Sequence, residues 1–92
     1  MSKRLLEPTS RFEHALKRSV GKSPARAECV AETLHQMESD LFQPRLKTHA
    51  LSGKLKGFHA CSCGHDCRIV FALRSGPDRI VLINVGPHAV VY

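Results

Sequence analysis

Two histidines stand where proton transfer beside an anion would need them. His49 lies in a stretch that carries Lys47, Lys54 and Lys56 and no acidic residue, and His88 follows Gly86-Pro87 at the exit of an apolar segment. Cationic neighbours disfavour an imidazolium, so a ring in such a field is suited to take up a proton. Asp66, in a turn-forming stretch beside Gly64, and Tyr92 add groups that handle protons or contact phosphate. Together they suit general acid–base chemistry near neutral pH on a negatively charged substrate. His14 and His35 fall away from the apolar stripes of the helices expected around them and are read as solvated.

A second cluster is His59, Cys61, Cys63, His65 and Cys67, at every second position. So many soft ligands in one short run suggest zinc, but the spacing works against it. On an extended strand, side chains at i and i+2 lie about 6.5–7 Å apart, whereas thiolates sharing zinc each sit about 2.3 Å from the metal. No Cys-x-x-Cys knuckle is present, and only a kink at Gly64 would bring Cys63 and Cys67 together. Cys61 and Cys63 are therefore expected to be small buried hydrophobes. A disulfide is not expected, because Cys29 falls in a helix and the expected compartment is reducing.

The elements that must position these residues follow from periodicity. An apolar start, Arg4 to Leu6, reads as an edge strand ended by Pro8. Ser10 and Glu13 read as a capping box, with Phe12, Ala15, Leu16 and Val20 on one helical stripe and Gly21 as the stop. Ser23-Pro24 opens a second helix, with Ala27, Val30, Ala31, Leu34, Met37 and Leu41 on its apolar face and Pro44 as its stop. The stretch from Arg45 to Gly57 reads as a basic loop that carries a short strand near Leu46. Three strands follow, Phe58 to Cys63, Cys67 to Leu73 and Arg79 to Val85, with turns at Gly64-His65 and at Ser75-Gly76-Pro77-Asp78. Two helices on an antiparallel sheet make an α+β layer.

Length and charge narrow the function classes. Ninety-two residues suffice for one core and not for two. A hydrophobic share of 42% excludes a chain too polar to fold, and no apolar run approaches the ~20 residues of a membrane-spanning helix. The start MSKRLLEP lacks the apolar region of a secretory signal, so the expected location is the cytoplasm. A formal net charge of +6 favours an anionic partner such as nucleic acid.

Read as strings, LKTHALSGKLKGFHACSCGHDCRIVFAL and IVLINVGPHAVVY resemble the RelE/ParE superfamily of bacterial type II toxins, most closely the RelE-like, YafQ-like branch of messenger-RNA interferases. Three motifs carry the resemblance: H-x-L-x-G-x-x-K-G from His49 to Gly57, D-x-R-I-V-F from Asp66 to Phe71, and G-x-H-x-x-x-Y from Gly86 to Tyr92. It implies the RelE-like toxin fold over residues 1–92: an N-terminal short strand and a helical hairpin packed on a three- to four-stranded antiparallel sheet. The implied activity is that of a ribosome-dependent endoribonuclease that cuts messenger RNA in the 30S A site by 2′-OH transesterification. No metal or other cofactor is required. A cognate antitoxin would hold it inactive in a toxin–antitoxin hetero-oligomer.

Carried over by motif, His49 and His88 match proton-transferring histidines and Asp66 matches the hairpin aspartate. Tyr92 matches the aromatic that contacts the substrate nucleotide, and Lys47, Lys54, Lys56 and Arg68 fall among the basic residues that face the RNA backbone. One position departs from the pattern. Ser62 stands where YafQ-like proteins carry a further histidine and RelE-like ones an arginine nearby, and a serine supplies neither a base at neutral pH nor a charge. His59 is a poor substitute, since strand alternation turns it to the opposite face. The rival readings are a ParE-like gyrase poison of the same fold and a zinc-stabilised nucleic-acid-binding module.

Overall fold

Thr9 fixes where the helical part begins. In the computed structural model, which describes residues 4–74 and 79–87, its hydroxyl accepts the Phe12 N–H at 3.1 Å and donates to the Leu82 carbonyl at 2.8 Å. Thr9 is thus the N-cap of α1 (Ser10–Val20), one residue before the expected capping box. That shift places Glu13 one residue beyond the position from which it would close such a box. Gly21, at φ 53°, ends α1 by donating its N–H to the Lys17 carbonyl at 3.0 Å. Ser23 caps α2 (Pro24–Ser39) as expected, accepting the Arg26 N–H at 3.2 Å. α2 stops at Ser39, so Pro44 opens a 3₁₀ turn over Pro44–Leu46 instead of ending the helix.

The strands are β1 (Leu5–Pro8), β2 (His49–Ala50), β3 (His59–Ser62), β4 (Arg68–Arg74) and β5 (Arg79–Gly86), in the sheet order β1-β5-β4-β3-β2. The expected α+β architecture holds, with two differences. The sheet has five strands and is mixed, because β1 pairs in parallel with β5, Leu5 opposite Arg79. A long connection that includes two helices allows this parallel return, and local alternation carries no sign of it. The short strand of the basic loop lies at His49, not near Leu46, which is buried at the end of the 3₁₀ turn.

Each face of the sheet has its own cover. Phe12, Val30 and Met37 of the helices pack with Cys61, Ile69, Phe71, Ile80, Leu82 and Val85 in the main core. On the other face Ala60 and Val70 are buried with Leu51, Phe58 and Ile83, so the 51–58 segment shields the centre of β3 and β4. This accounts for the apolar character of both faces of the central strands. No helix among the described residues is long and apolar enough to cross a membrane.

Candidate functional site

Strand register assembles the site. His49 lies opposite Ala60, and Ser62, two positions along β3, lies opposite Arg68. Directly paired residues project from the same side of a sheet, so His49, Ser62 and Arg68 share one face, with the diagonal His49–Ser62 step about 7–8 Å. The exposed His49 ring is held by a 2.9 Å hydrogen bond from Nδ1 to the Lys47 carbonyl. A carbonyl only accepts, so Nδ1 carries the proton and Nε2 of the neutral ring is left with a lone pair toward solvent. Lys47 adopts a left-handed conformation at φ 53°, which ends the 3₁₀ turn and aims its carbonyl at the histidine.

The β3–β4 turn forms the other half. Cys63 and Cys67 are joined by a disulfide, with Cα atoms 5.0 Å apart. This corrects the expectation of free thiols: Gly64 at φ 117° and Asp66 at φ 50° supply the kink that an extended strand would lack. The Cys63 N–H also donates to the Cys67 carbonyl at 2.9 Å, closing the same turn through the backbone. Arg68 is anchored by its Nη1, which donates to that same carbonyl at 2.9 Å, and Ser62 Oγ donates to the Gly64 carbonyl at 3.3 Å.

A cavity of about 420 Å³ lies between this turn, α2 and the 3₁₀ turn, with Lys47, Ser62, Asp66 and Arg68 on its walls. Arg45 lines it too and stands 3.9 Å from Glu32. Sequence reasoning placed Arg45 in the basic stretch without assigning it to the site; its place at the pocket depends on the 3₁₀ turn. His49 and Lys54 line a separate groove of about 350 Å³ with Leu51, Ser52 and Leu55. The structure therefore brings Lys47, Asp66 and Arg68 into one pocket and sets His49 and Lys54 in another groove. Lys56 is exposed and lines neither cavity. His88 and Tyr92 lie outside the described residues.

Of the remaining members of the cysteine–histidine run, His65 is exposed on the turn and lines the charged pocket, whereas His59 and Cys61 face the core. His59 lies opposite Phe71 and stacks on its ring at 5.9 Å, on the face away from Ser62 as strand alternation requires. Cys61 is fully buried with its Sγ 3.7 Å from Met37 Sδ, and burial pushes its thiol up to about 12 despite the opposing pull of Arg68. Two of the run's thiols are thus consumed by a disulfide and a third is inert. Among the described residues no three His, Cys, Asp or Glu side chains gather as a metal cluster. His14 and His35 are exposed, as expected.

Comparison with known proteins bears on the fold and the family. No curated protein matches the chain. Among solved structures, the Escherichia coli DinJ–YafQ complex contains a chain that is 17% identical, with 98% of this chain and 99% of that one covered at a TM-score of 0.74. A YoeB/ParE toxin from Agrobacterium tumefaciens is 18% identical over 91% of this chain and 98% of its own, with a TM-score of 0.75. A copper-bound mutant toxin from Helicobacter pylori is 26% identical over the full length of both chains, at a TM-score of 0.68. The profile described as bacterial toxin of type II toxin-antitoxin system, YafQ, matches residues 4–92. Fold, motifs and this match together make the chain a toxin of the YafQ family of type II toxin–antitoxin systems.

Proposed function

We propose that this toxin is a ribosome-dependent endoribonuclease of the cytoplasm, cutting messenger RNA by attack of a ribose 2′ oxygen on the adjacent phosphate. The observation that carries the proposal is the sharing of one sheet face by His49, Ser62 and Arg68, with the His49 ring oriented through Nδ1. In the proposed reaction one imidazole, His49 or His88, removes the 2′-OH proton and the other protonates the departing 5′ oxygen. The 2′ oxygen forms a bond to phosphorus, the bond to the 5′ oxygen breaks, and a 2′,3′-cyclic phosphate is left. General acid and base groups each contribute about 10²- to 10⁴-fold.

Arg68, Lys47, Lys54 and Lys56 would neutralise the phosphate charge that grows in the transition state. Arg68 is suited to this because its guanidinium is already fixed on the Cys67 carbonyl, so little freedom is lost on binding. Asp66 would orient one imidazole, and Tyr92 would contact the substrate base. Ser62 can donate a hydrogen bond to a phosphate oxygen but cannot replace the histidine it stands for.

The E. coli YafQ chain is solved with DinJ, which supports an antitoxin partner here as well. A basic surface and apolar helices suit capture by an acidic segment that folds on binding. Expression with and without the neighbouring reading frame, followed by primer extension on cellular messages, tests the function. Discrete new 5′ ends within codons, suppressed by the co-expressed antitoxin, are expected. Intact messages accompanied by DNA breaks would instead identify a gyrase poison.

A further inference from the structure

Three residues of the site depend on one small ring. Cys63, Gly64, His65, Asp66 and Cys67 are closed by the disulfide and by the Cys63 N–H to Cys67 carbonyl bond. Asp66 sits inside the ring in a left-handed conformation, Arg68 holds its guanidinium on the Cys67 carbonyl, and Ser62 holds its hydroxyl on the Gly64 carbonyl. The ring rests against α2, where a Cβ on Gly64 would lie 3.9 Å from Cys29 Cβ and 4.0 Å from its Sγ. Cys63 borders the charged pocket and Cys67 does not, but both are buried in the main core, at 2% and 3% exposure, so a small thiol meets the bridge from the pocket side only when the turn opens.

We propose that the Cys63–Cys67 disulfide is a positioning device for the active site, and that its reversible opening makes messenger-RNA cleavage respond to thiols. The inference rests on the ribonuclease reading above. In a reducing cytoplasm a disulfide that persists is usually transient or redox-sensing, which fits a bridge beside a pocket better than one serving stability alone. Opening proceeds by exchange. A thiolate attacks Cys63 Sγ, the bond between the two protein sulfurs breaks, and Cys67 leaves as a thiolate that takes up a proton. A second thiolate then displaces Cys63. Two reductant thiols thereby become one low-molecular-weight disulfide, and the protein gains two thiols. Closure runs the same steps in reverse, with a low-molecular-weight disulfide such as oxidised glutathione as the oxidant.

With the bridge open, the left-handed turn at Asp66 and the two carbonyls that hold Arg68 and Ser62 lose their covalent constraint. Displacement of reacting groups by about 1 Å can cost 10²-fold in rate. Ribosome engagement draws on the whole basic surface and is left largely intact, so the loss belongs in kcat and not in KM.

The test uses the full chain, oxidised with glutathione disulfide or reduced with dithiothreitol and then freed of reductant. Alkylation and mass measurement give the state of the bridge. Cleavage of a message on purified programmed ribosomes gives kcat and KM, and hydrogen exchange follows the Cys63 and Cys67 amides. Reduction is expected to lower kcat about 10- to 100-fold with KM little changed, and to speed exchange at both amides. The double variant C63A/C67A should match the reduced protein and ignore the oxidant, whereas C29S should keep the thiol response. Equal kcat in the two states, whatever the exchange does, would overturn the proposal. If neither state cuts the message, the ribonuclease reading falls, and unchanged exchange would then sink the positioning role as well.

Discussion

His49 and His59 differ in what they can do because of the direction in which a strand turns each of them. Alternation along the chain was enough to assign His59 to the core face, and its ring does stack on Phe71. Its Nδ1 finds no hydrogen-bond partner among the described residues, so it is a buried polar atom left unsatisfied. Such an atom costs about 1–3 kcal/mol. His59→Phe keeps the ring stack and removes the orphan nitrogen, and is expected to stabilise the fold by about 1 kcal/mol, a rise of about 4–8 °C in Tm. Thermal unfolding of the purified variant checks this, and a lower Tm would show that the nitrogen is satisfied in solution. The cysteines were harder to read. Residue spacing identifies the kink needed at Gly64, but the helical place of Cys29 and a reducing compartment argue against a disulfide, and neither bears on the local turn that closes Cys63 onto Cys67.

Among the elements, the clearest signals were those with a local physical cause. Ser23-Pro24 announces α2 because the serine accepts an orphan N–H and proline costs nothing at the first helical position. The start of α1 was legible only to within a residue, since Thr9 and Ser10 are both good caps and the choice is made by tertiary structure. Thr9 also bonds to Leu82 through its backbone N–H at 3.1 Å and its hydroxyl at 2.8 Å, which ties the helix start to β5. Thr9→Ala is therefore expected to cost about 1–2 kcal/mol, whereas Ser10→Ala should change stability by less than about 0.5 kcal/mol. Denaturant unfolding of the two variants separates them, and a larger loss for Ser10→Ala would return the cap to that residue. β2 is legible only as a short strand near Leu46 and not at His49, because two residues are too few to show alternation, and the parallel pairing of β1 with β5 is a long-range event without a local sign.

For the molecule as a whole, the formal charge of +6 acquires a location. Arg45, Lys47 and Arg68 converge on one pocket from the 3₁₀ turn and β4, and Lys54 stands with His49 in a groove beside β2. The sequence motifs contain His49, Lys54 and Arg68 but neither Arg45 nor Lys47, and the division of these residues between two cavities depends on how the 44–58 segment folds over the sheet. A small domain with such a surface need not read sequence unaided if the ribosome presents the message. The most direct test is cleavage of a defined message on purified programmed ribosomes by the wild-type chain and by the double variant H49A/H88A, with the new ends analysed chemically. The wild type should leave a 2′,3′-cyclic phosphate upstream of the break, and the double variant should be slower by at least about 10²-fold. Undiminished cleavage by the double variant, or a message left intact by the wild type, would contradict the account.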